Sequence, residues 1–273
     1  MQTVEANGAR IPAIGLGTMT LRENVCVETV AAALRAGYCH LDTAQMYGNE
    51  REVGEGFRAS GVKREAVFLT TKVWHDRLRA GDFERAVDES LARLQLPQVD
   101  LLLIHWPNPA VPLKETIGAL VKVKRAGLAR HIGLANFTIA MIEEAVRISD
   151  EPLVSNQIEV HPFIDQSKVI AACRRHGLSV TAYCPLARGK VPGNETIGRI
   201  AAAHGKSAGQ VALRWLVQQG VIPIPRTSKP ERLKENLAVF DFALDDREMA
   251  EIGRLPRPDG RVVNPPHAPK WDA

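Results

Sequence analysis

The sequence predicts an α/β protein, a (β/α)8 TIM barrel with an N-terminal β-hairpin and extra helices near the C-terminus. The chain has 273 residues, of which 45% are hydrophobic, and barrels of about 250 residues usually form one domain. Eight short apolar runs alternate with segments of helical periodicity, and polar residues collect where these runs end. We therefore expect residues 1–273 to form a single barrel domain.

The first element is a hairpin, because Asn7-Gly8 stands between two short apolar-containing runs and favours a two-residue turn. The candidate strands of the barrel are residues 14–17, 38–42, 67–72, 99–105, 129–134, 153–159, 179–183 and 221–225. The intervening segments repeat apolar residues at helical spacing, as at Phe83, Val87 and Leu91. The gap before the last strand has room for two helices, residues 195–204 and 207–218.

Three helix starts in the last third of the chain carry the spacing of a capping box. The pairs are Ser207 with Gln210, Ser228 with Glu231, and Asp245 with Glu248.

Composition and charge argue against several classes of protein. The formal net charge is only +4 and no block of five like charges occurs, which argues against a nucleic-acid partner. The four cysteines form no CxxC pair, so we expect a reduced, cytoplasmic protein without a metal. The sequence begins with no signal-like segment and has no long apolar run, so neither export nor a membrane is expected. We expect a monomer whose partners are small molecules.

The active site of such a barrel lies at the carboxyl ends of its strands, where the loops converge. The polar residues at or just after those ends are Asp42, Lys72, His105, Asn136, Gln157, Glu159, Tyr183 and Arg226.

Four residues, Asp42, Tyr47, Lys72 and His105, suit one reaction. A carbonyl group that accepts a hydride needs a proton donor at its oxygen and groups that stabilise negative charge. Tyr47 would be the donor, and we expect Lys72 to lower its pKa by about 2 to 3 units. Asp42 would keep Lys72 charged, and His105 would orient the carbonyl oxygen. Taken singly, His105 is more typical of a core histidine, and Lys72 could be a solvated lysine. The joint placement of the four residues at successive strand ends and in the loop after the second favours the catalytic site.

Four motifs, residues 15–18 (GLGT), 41–50 (LDTAQMYGNE), 70–74 (TTKVW) and 103–107 (LIHWP), resemble those of the aldo-keto reductases. The resemblance runs nearly end to end and is closest to bacterial members that reduce 2,5-diketogluconate and related small dicarbonyls. It implies NADPH-dependent reduction of an aldehyde or ketone of a small polar substrate, such as 2,5-diketogluconate or methylglyoxal. The tyrosine acid of the family matches Tyr47, and its aspartate, lysine and histidine match Asp42, Lys72 and His105.

The resemblance also implies a cofactor site for NADPH. Asn136 and Gln157 match residues that hold the nicotinamide carboxamide, and Tyr183 matches the ring that stacks on the nicotinamide. The remaining cofactor candidates are Gly17, Thr18, Asp42, the loop residues Cys184, Pro185, Leu186, Ala187 and Gly189, and the phosphate and adenine segment with Arg226, Thr227, Ser228, Lys229, Arg232, Glu235 and Asn236.

The phosphate assignment has a physical basis of its own. Ser228 would cap a helix whose positive N-terminal end faces an anion, and Arg226, Lys229 and Arg232 add charge there. A 2′-phosphate distinguishes NADP from NAD, so we favour NADPH.

The substrate pocket is expected to include Trp74, Trp106, Met46 and Met19 beside Tyr47 and His105, although buried tryptophans are as common in plain packing. The proline-rich tail from Arg257 to Trp271 has two interpretations: a lid that presents Arg261 or His267 to a substrate carboxylate, or a frayed terminus. An alternative function is a cofactor-binding regulatory barrel with little turnover. A metal-dependent hydrolase would need more His and carboxylate ligands at the strand ends than the sequence offers.

Overall fold

The N-terminal hairpin packs against one end of a barrel in the computed structural model, which describes residues 1–272. Its antiparallel strands are β1 (Thr3–Ala6) and β2 (Ala9–Pro12). Asn7 and Gly8 both have positive φ, 43° and 87°, as the predicted tight turn requires. Ala6, Ala9 and Ile11 are buried against residues of the barrel strands, so the hairpin covers the end opposite the strand termini that carry the polar residues.

Eight parallel strands form the barrel, and each pairs with its neighbours in chain order. They are β3 (Leu16–Gly17), β4 (His40–Asp42), β5 (Phe68–Val73), β6 (Val99–Ile104), β7 (Ala129–Ala135), β8 (Leu153–Glu159), β9 (Ser179–Tyr183) and β10 (Val221–Pro223). The first and last strands are joined by Gly15 N–H to Pro223 O, 3.0 Å, and Gly17 N–H to Pro225 O, 3.1 Å. The (β/α)8 barrel prediction is therefore confirmed.

Four strands are shorter than predicted. The predicted runs 14–17, 38–42, 99–105 and 221–225 reduce to β3, β4, β6 and β10. Just beyond the end of β10, Pro225 has no N–H to donate to a continuing ladder. By contrast, β8 and β9 have the predicted bounds.

Ten helices surround the barrel within the described part of the chain. They are α1 (Glu23–Arg35), α2 (Glu50–Ser60), α3 (Asp82–Leu94), α4 (Leu113–Arg125), α5 (Ile139–Ile148), α6 (Ser167–Arg175), α7 (Glu195–His204), α8 (Ala208–Gln218), α9 (Pro230–Leu237) and α10 (Asp246–Ile252). The apolar stripe of α3, with Phe83, Val87 and Leu91, is buried as its spacing predicts. Both α7 and α8 lie between β9 and β10, which confirms the extra helices.

Two of the three predicted capping boxes form. Ser207 caps α8 and Asp245 caps α10, each with its glutamine or glutamate partner. The prediction for Ser228 is wrong, because α9 begins at Pro230 and its N-cap is Lys229, without a side-chain cap. Proline is favoured at the first helical position, and the Thr227 hydroxyl accepts the Lys229 N–H at 3.0 Å in the turn that precedes it.

The interior of the barrel below the strand ends is partly polar. His40 Nε2 lies 3.1 Å from Thr70 Oγ1, and Ser155 Oγ lies 3.3 Å from Thr181 Oγ1. Burial lowers the pKa of His40 from 6.5 to about 4, so this imidazole is neutral near pH 7.

None of the helices in residues 1–272 has the length and apolar character that a bilayer crossing demands.

Candidate active site

A buried ion pair joins the ends of β4 and β5. Lys72 Nζ donates to Asp42 Oδ1 at 2.5 Å and to the Thr43 carbonyl oxygen at 2.9 Å. The side chains of Lys72 and Asp42 are 0% and 1% exposed. Gln157, near the end of β8, donates Nε2 to the other Asp42 oxygen at 2.7 Å. Both carboxylate oxygens are therefore bonded, as a buried charge requires.

Tyr47 lies in the short 3-10 turn Gln45–Tyr47 that follows β4. Its hydroxyl is 3.4 Å from Lys72 Nζ, and its ring packs edge-on against His105 with centroids 5.7 Å apart. Burial raises the pKa of Tyr47 well above 10, and the nearby charge of Asp42 raises it further. The expectation that Lys72 lowers this pKa is therefore wrong here. Desolvation is the largest effect on this pKa and the charge of Asp42 acts in the same direction, so the phenol keeps its proton.

His105 directly follows β6 and is a neutral imidazole. Burial lowers its pKa well below 6.5, and Lys72, His267 and His75 lower it further. Its Nδ1 is buried and has no hydrogen-bond partner in residues 1–272. A neutral imidazole next to a protonated phenol offers two uncharged hydrogen-bond donors to one oxygen atom.

The side chain of Asn49 connects the loop that carries Tyr47 to the loop after β3 through hydrogen bonds. Sequence reasoning missed this residue. Its Nδ2 donates to Thr18 O at 2.8 Å and Leu21 O at 3.0 Å, and its Oδ1 accepts from the Thr43 hydroxyl at 2.9 Å. Thr18 in turn donates its hydroxyl to Asp42 O at 3.0 Å. The segment with Gly17 and Thr18 is thereby fixed beside the ion pair. An asparagine two residues after the tyrosine was the available signal.

Asn136 and Tyr183, from the second half of the barrel, lie beside the catalytic residues. Asn136 has φ 63°, donates Nδ2 to His105 O at 2.9 Å and accepts the Tyr183 hydroxyl at 2.7 Å. These two residues are thus linked to His105, and Gln157 is linked to Asp42. The four predicted catalytic residues and three predicted carboxamide and ring residues form one connected cluster.

The loop after Tyr183 has an unusual backbone. Cys184 and Ala187 have φ 48° and 49°, in the left-handed region that residues other than glycine seldom adopt. Pro185 is buried, whereas Leu186 is half-buried and Gly189 is exposed. Burial raises the pKa of the Cys184 thiol, which fits an inert cysteine.

The segment around the start of α9 carries three exposed cations, Arg226, Lys229 and Arg232. No salt bridge within residues 1–272 includes any of them, although neutralised charges are frequent elsewhere on the surface. Unpaired cations beside a helix N-terminus are a suitable donor set for a phosphate group. Ser228 is exposed in this segment.

The other residues predicted for the segment are more enclosed. Thr227 and Asn236 are buried, and Glu235 accepts a hydrogen bond from the Ser207 hydroxyl.

Trp74 and Trp106 line the site, whereas the two methionines are peripheral. The ring of Trp74 lies 4.9 Å from that of His105, and Trp106 is buried. Met46 is 41% exposed and borders, with Trp74, an outer groove of about 440 Å³. Met19, 44% exposed, lies in the loop after β3.

The C-terminal tail, residues 257–272, folds over the mouth of the barrel, as the lid interpretation expects. Val262 N–H and Val263 N–H donate to the two oxygens of Glu159, at 2.6 and 2.8 Å. The ring of His267 packs against Trp74 with centroids 5.3 Å apart, and Asp272 accepts the Ile139 N–H at 3.0 Å. Sequence reasoning recorded Glu159 only as a strand end and missed its role as the anchor of this tail.

No group of three or more His, Cys, Asp or Glu side chains in residues 1–272 is placed to hold a metal ion.

Comparisons with known proteins agree over nearly the whole chain. The sequence model of the Aldo/keto reductase family matches residues 13–256. Methylglyoxal reductase DkgB of Escherichia coli O157:H7 is 41% identical over 266 residues, covering 96% of this chain and 99% of that protein. A crystal structure provisionally described as a 2,5-diketo-D-gluconic acid reductase B is 52% identical, with a TM-score of 0.98 and coverage of 100% and 98%. A Bombyx mori aldo-keto reductase in complex with NADP is 34% identical, with a TM-score of 0.88 and coverage of 96% and 94%.

Proposed function

The chain belongs to the aldo/keto reductase family, and on that premise we propose that it is an NADPH-dependent reductase of small polar aldehydes and ketones. The observation that carries the proposal is the buried chain from Asp42 through Lys72 to Tyr47, with His105 beside the phenol. The names of the similar proteins, which include methylglyoxal reductase and glyoxal reductase, favour small dicarbonyls such as methylglyoxal or 2,5-diketogluconate as substrates.

Each of the four residues has a separate task in this proposal. Tyr47, a protonated phenol 3.4 Å from the Lys72 ammonium, donates its proton to the carbonyl oxygen of the substrate. His105 is neutral and donates one hydrogen bond to the same oxygen, which orients it. Lys72 stabilises the negative charge left on Tyr47, and Asp42 holds Lys72 in position. A bound NADPH would supply the hydride that reduces the carbonyl carbon.

The residues of the second half of the barrel are suited to holding that cofactor. Asn136, Gln157 and Tyr183 would surround the nicotinamide, with Gly17 and Thr18 on the opposite side of the ring of strands. The unpaired cations Arg226, Lys229 and Arg232 support NADPH over NADH, because a 2′-phosphate would offset charges that no described acid neutralises.

The test is steady-state turnover on a panel of carbonyl compounds with each nicotinamide cofactor. We expect reduction of methylglyoxal and 2,5-diketogluconate with a higher kcat/KM for NADPH than for NADH. Negligible turnover on every member of the panel would instead favour the regulatory barrel.

The cofactor assignment has a matched control within the chain. Arg232→Ala is expected to raise the KM for NADPH and to leave the KM for NADH unchanged. Arg254→Ala removes another exposed arginine, from the segment after α10, and should change neither. An equal effect of both variants would contradict the assignment of Arg232 to the 2′-phosphate.

A further inference from the structure

Arg261 in the C-terminal tail is a partly buried cation without an ion-pair partner in residues 1–272. Its Nη1 atom is buried and makes no hydrogen bond within residues 1–272. None of the salt bridges in this part of the chain includes it, whereas Arg257, four residues earlier, lies 3.8 Å from Asp259. Leaving a charged donor buried and unpaired is costly, so native structures usually pair such groups or use them.

The tail holds Arg261 in place from both sides. Gly260 is packed so closely on the carbonyl oxygen of Phe163 that no Cβ fits there. Val262 and Val263 are fixed by their hydrogen bonds to Glu159. The guanidinium carbon lies over the Trp271 ring, 3.9 Å from its centroid. The cation is therefore positioned before any ligand arrives, which lowers the entropic cost of binding.

Glu159, the acid whose charge acts on Arg261, already accepts three hydrogen bonds. Its oxygens accept the Val262 N–H, the Val263 N–H and the ring N–H of His161 at 2.9 Å. No nitrogen of Arg261 lies within 4.0 Å of a Glu159 oxygen, so the two side chains form no ion pair. Burial lowers the pKa of Arg261, and Glu159 only partly opposes that effect. A further anion would complete the site.

A continuous aromatic wall, formed by Trp74, His267, Trp106 and Trp271, connects Arg261 with the catalytic cluster. The ring centroids are 4.9 Å apart for His105 and Trp74, 5.3 Å for Trp74 and His267, 5.1 Å for His267 and Trp106, and 5.9 Å for Trp106 and Trp271. His267 adds no positive charge to this wall, because burial and His75 lower its pKa. Arg261 is thus the charged group at the far end of this wall.

We propose that Arg261 binds the carboxylate of the substrate, so that the preferred substrates are oxo-acids whose carbonyl group lies at Tyr47 and His105. The inference rests on the proposed carbonyl reduction and names its substrate class. A guanidinium presents parallel N–H groups that match a carboxylate, which a neutral aldehyde cannot use. Trp271 would hold the guanidinium in position while the carboxylate binds to its free N–H groups.

The experiment compares two aldehydes that differ in charge, 4-carboxybenzaldehyde and its methyl ester, in wild type, Arg261→Gln and Arg261→Lys. We expect Arg261→Gln to lower kcat/KM for the carboxylate by about tenfold or more, mainly through KM, and to leave the ester unchanged. Arg261→Lys should retain part of the preference because it keeps the charge. Arg257→Gln, in the same tail with its guanidinium over Phe163, should change neither aldehyde.

Three outcomes would overturn the inference while leaving the proposed function in place. Equal loss with both aldehydes would mean that Arg261 only supports the tail. A rise in the KM for NADPH alone would assign the residue to a cofactor phosphate. A wild-type preference for the ester, with no effect of Arg261→Gln, would show that no carboxylate binds there. If wild type reduces neither aldehyde nor any member of the dicarbonyl panel, the proposed function fails and this inference fails with it.

Discussion

Replacement of Lys72 by methionine tests the buried ion pair on which the candidate active site is built. The ammonium makes hydrogen bonds to Asp42 Oδ1 and Thr43 O, and no part of its side chain is exposed. Methionine fills a similar volume but leaves the Asp42 carboxylate buried, with Gln157 as its remaining side-chain donor. Breaking one partner of a buried pair costs about 3 to 5 kcal/mol, so we expect Lys72→Met to lower the free energy of unfolding by about that much.

Urea denaturation measures this loss, and a double-mutant cycle identifies its cause. Asp42→Asn removes the other charge, and Asp42→Asn with Lys72→Met removes both. If an uncompensated charge causes the loss, the double variant should be more stable than the sum of the single effects predicts, by about 1 to 3 kcal/mol. Strict additivity, or a loss below about 1 kcal/mol for Lys72→Met, would refute a tightly coupled buried pair.

Three further predictions concern stability and the tail. The pKa of His40 is about 4 when folded against 6.5 ordinarily, so the unfolded chain binds more protons between these values. Stability should therefore fall by about 3 kcal/mol as pH falls through that window, and His40→Gln should flatten this dependence. Ser207→Ala should cost about 1 kcal/mol because a cap is lost, whereas Ser228→Ala should cost almost nothing because Ser228 caps no helix. Gly260→Ala should release the tail and speed hydrogen exchange at Val262, because its Cβ would collide with Phe163 O.

A specific result would contradict each of these predictions. If the pH dependence of stability is the same in His40→Gln as in wild type, this imidazole has the same pKa in the folded and unfolded states. Equal losses of stability in Ser207→Ala and Ser228→Ala would mean that Ser228 caps a helix after all. Faster exchange throughout the barrel of Gly260→Ala, rather than in the tail alone, would show that the tail does not open independently.

The order of strands was enough to predict most of the catalytic cluster. The carboxyl ends of neighbouring parallel strands meet at one mouth, so Asp42 and Lys72 had to lie close together once β4 and β5 were recognised. Tyr47 and the cofactor residues depended more on the resemblance of motifs, since a loop position is not fixed by strand order.

Other features depend on contacts that local sequence does not contain. The anchor of the tail joins Glu159 to Val262, 103 residues apart. The pKa of Tyr47 depends on the balance between desolvation and two opposite charges, which only distances decide. The wrong prediction for Ser228 has a local cause. Pro230 occupies the first position of the helix, so the N-cap is Lys229 rather than the Ser228 that the capping-box spacing predicts.

The most direct test of the proposed reaction is Tyr47→Phe, which removes one hydroxyl and keeps the ring that packs on His105. A positioned proton donor contributes about 10²- to 10⁴-fold to such a rate. We predict that kcat for the NADPH-dependent reduction of methylglyoxal falls by at least about 100-fold, while NADPH binding and Tm stay close to those of wild type. A Tyr47→Phe enzyme that retains most of its activity would contradict the assignment of Tyr47 as the acid.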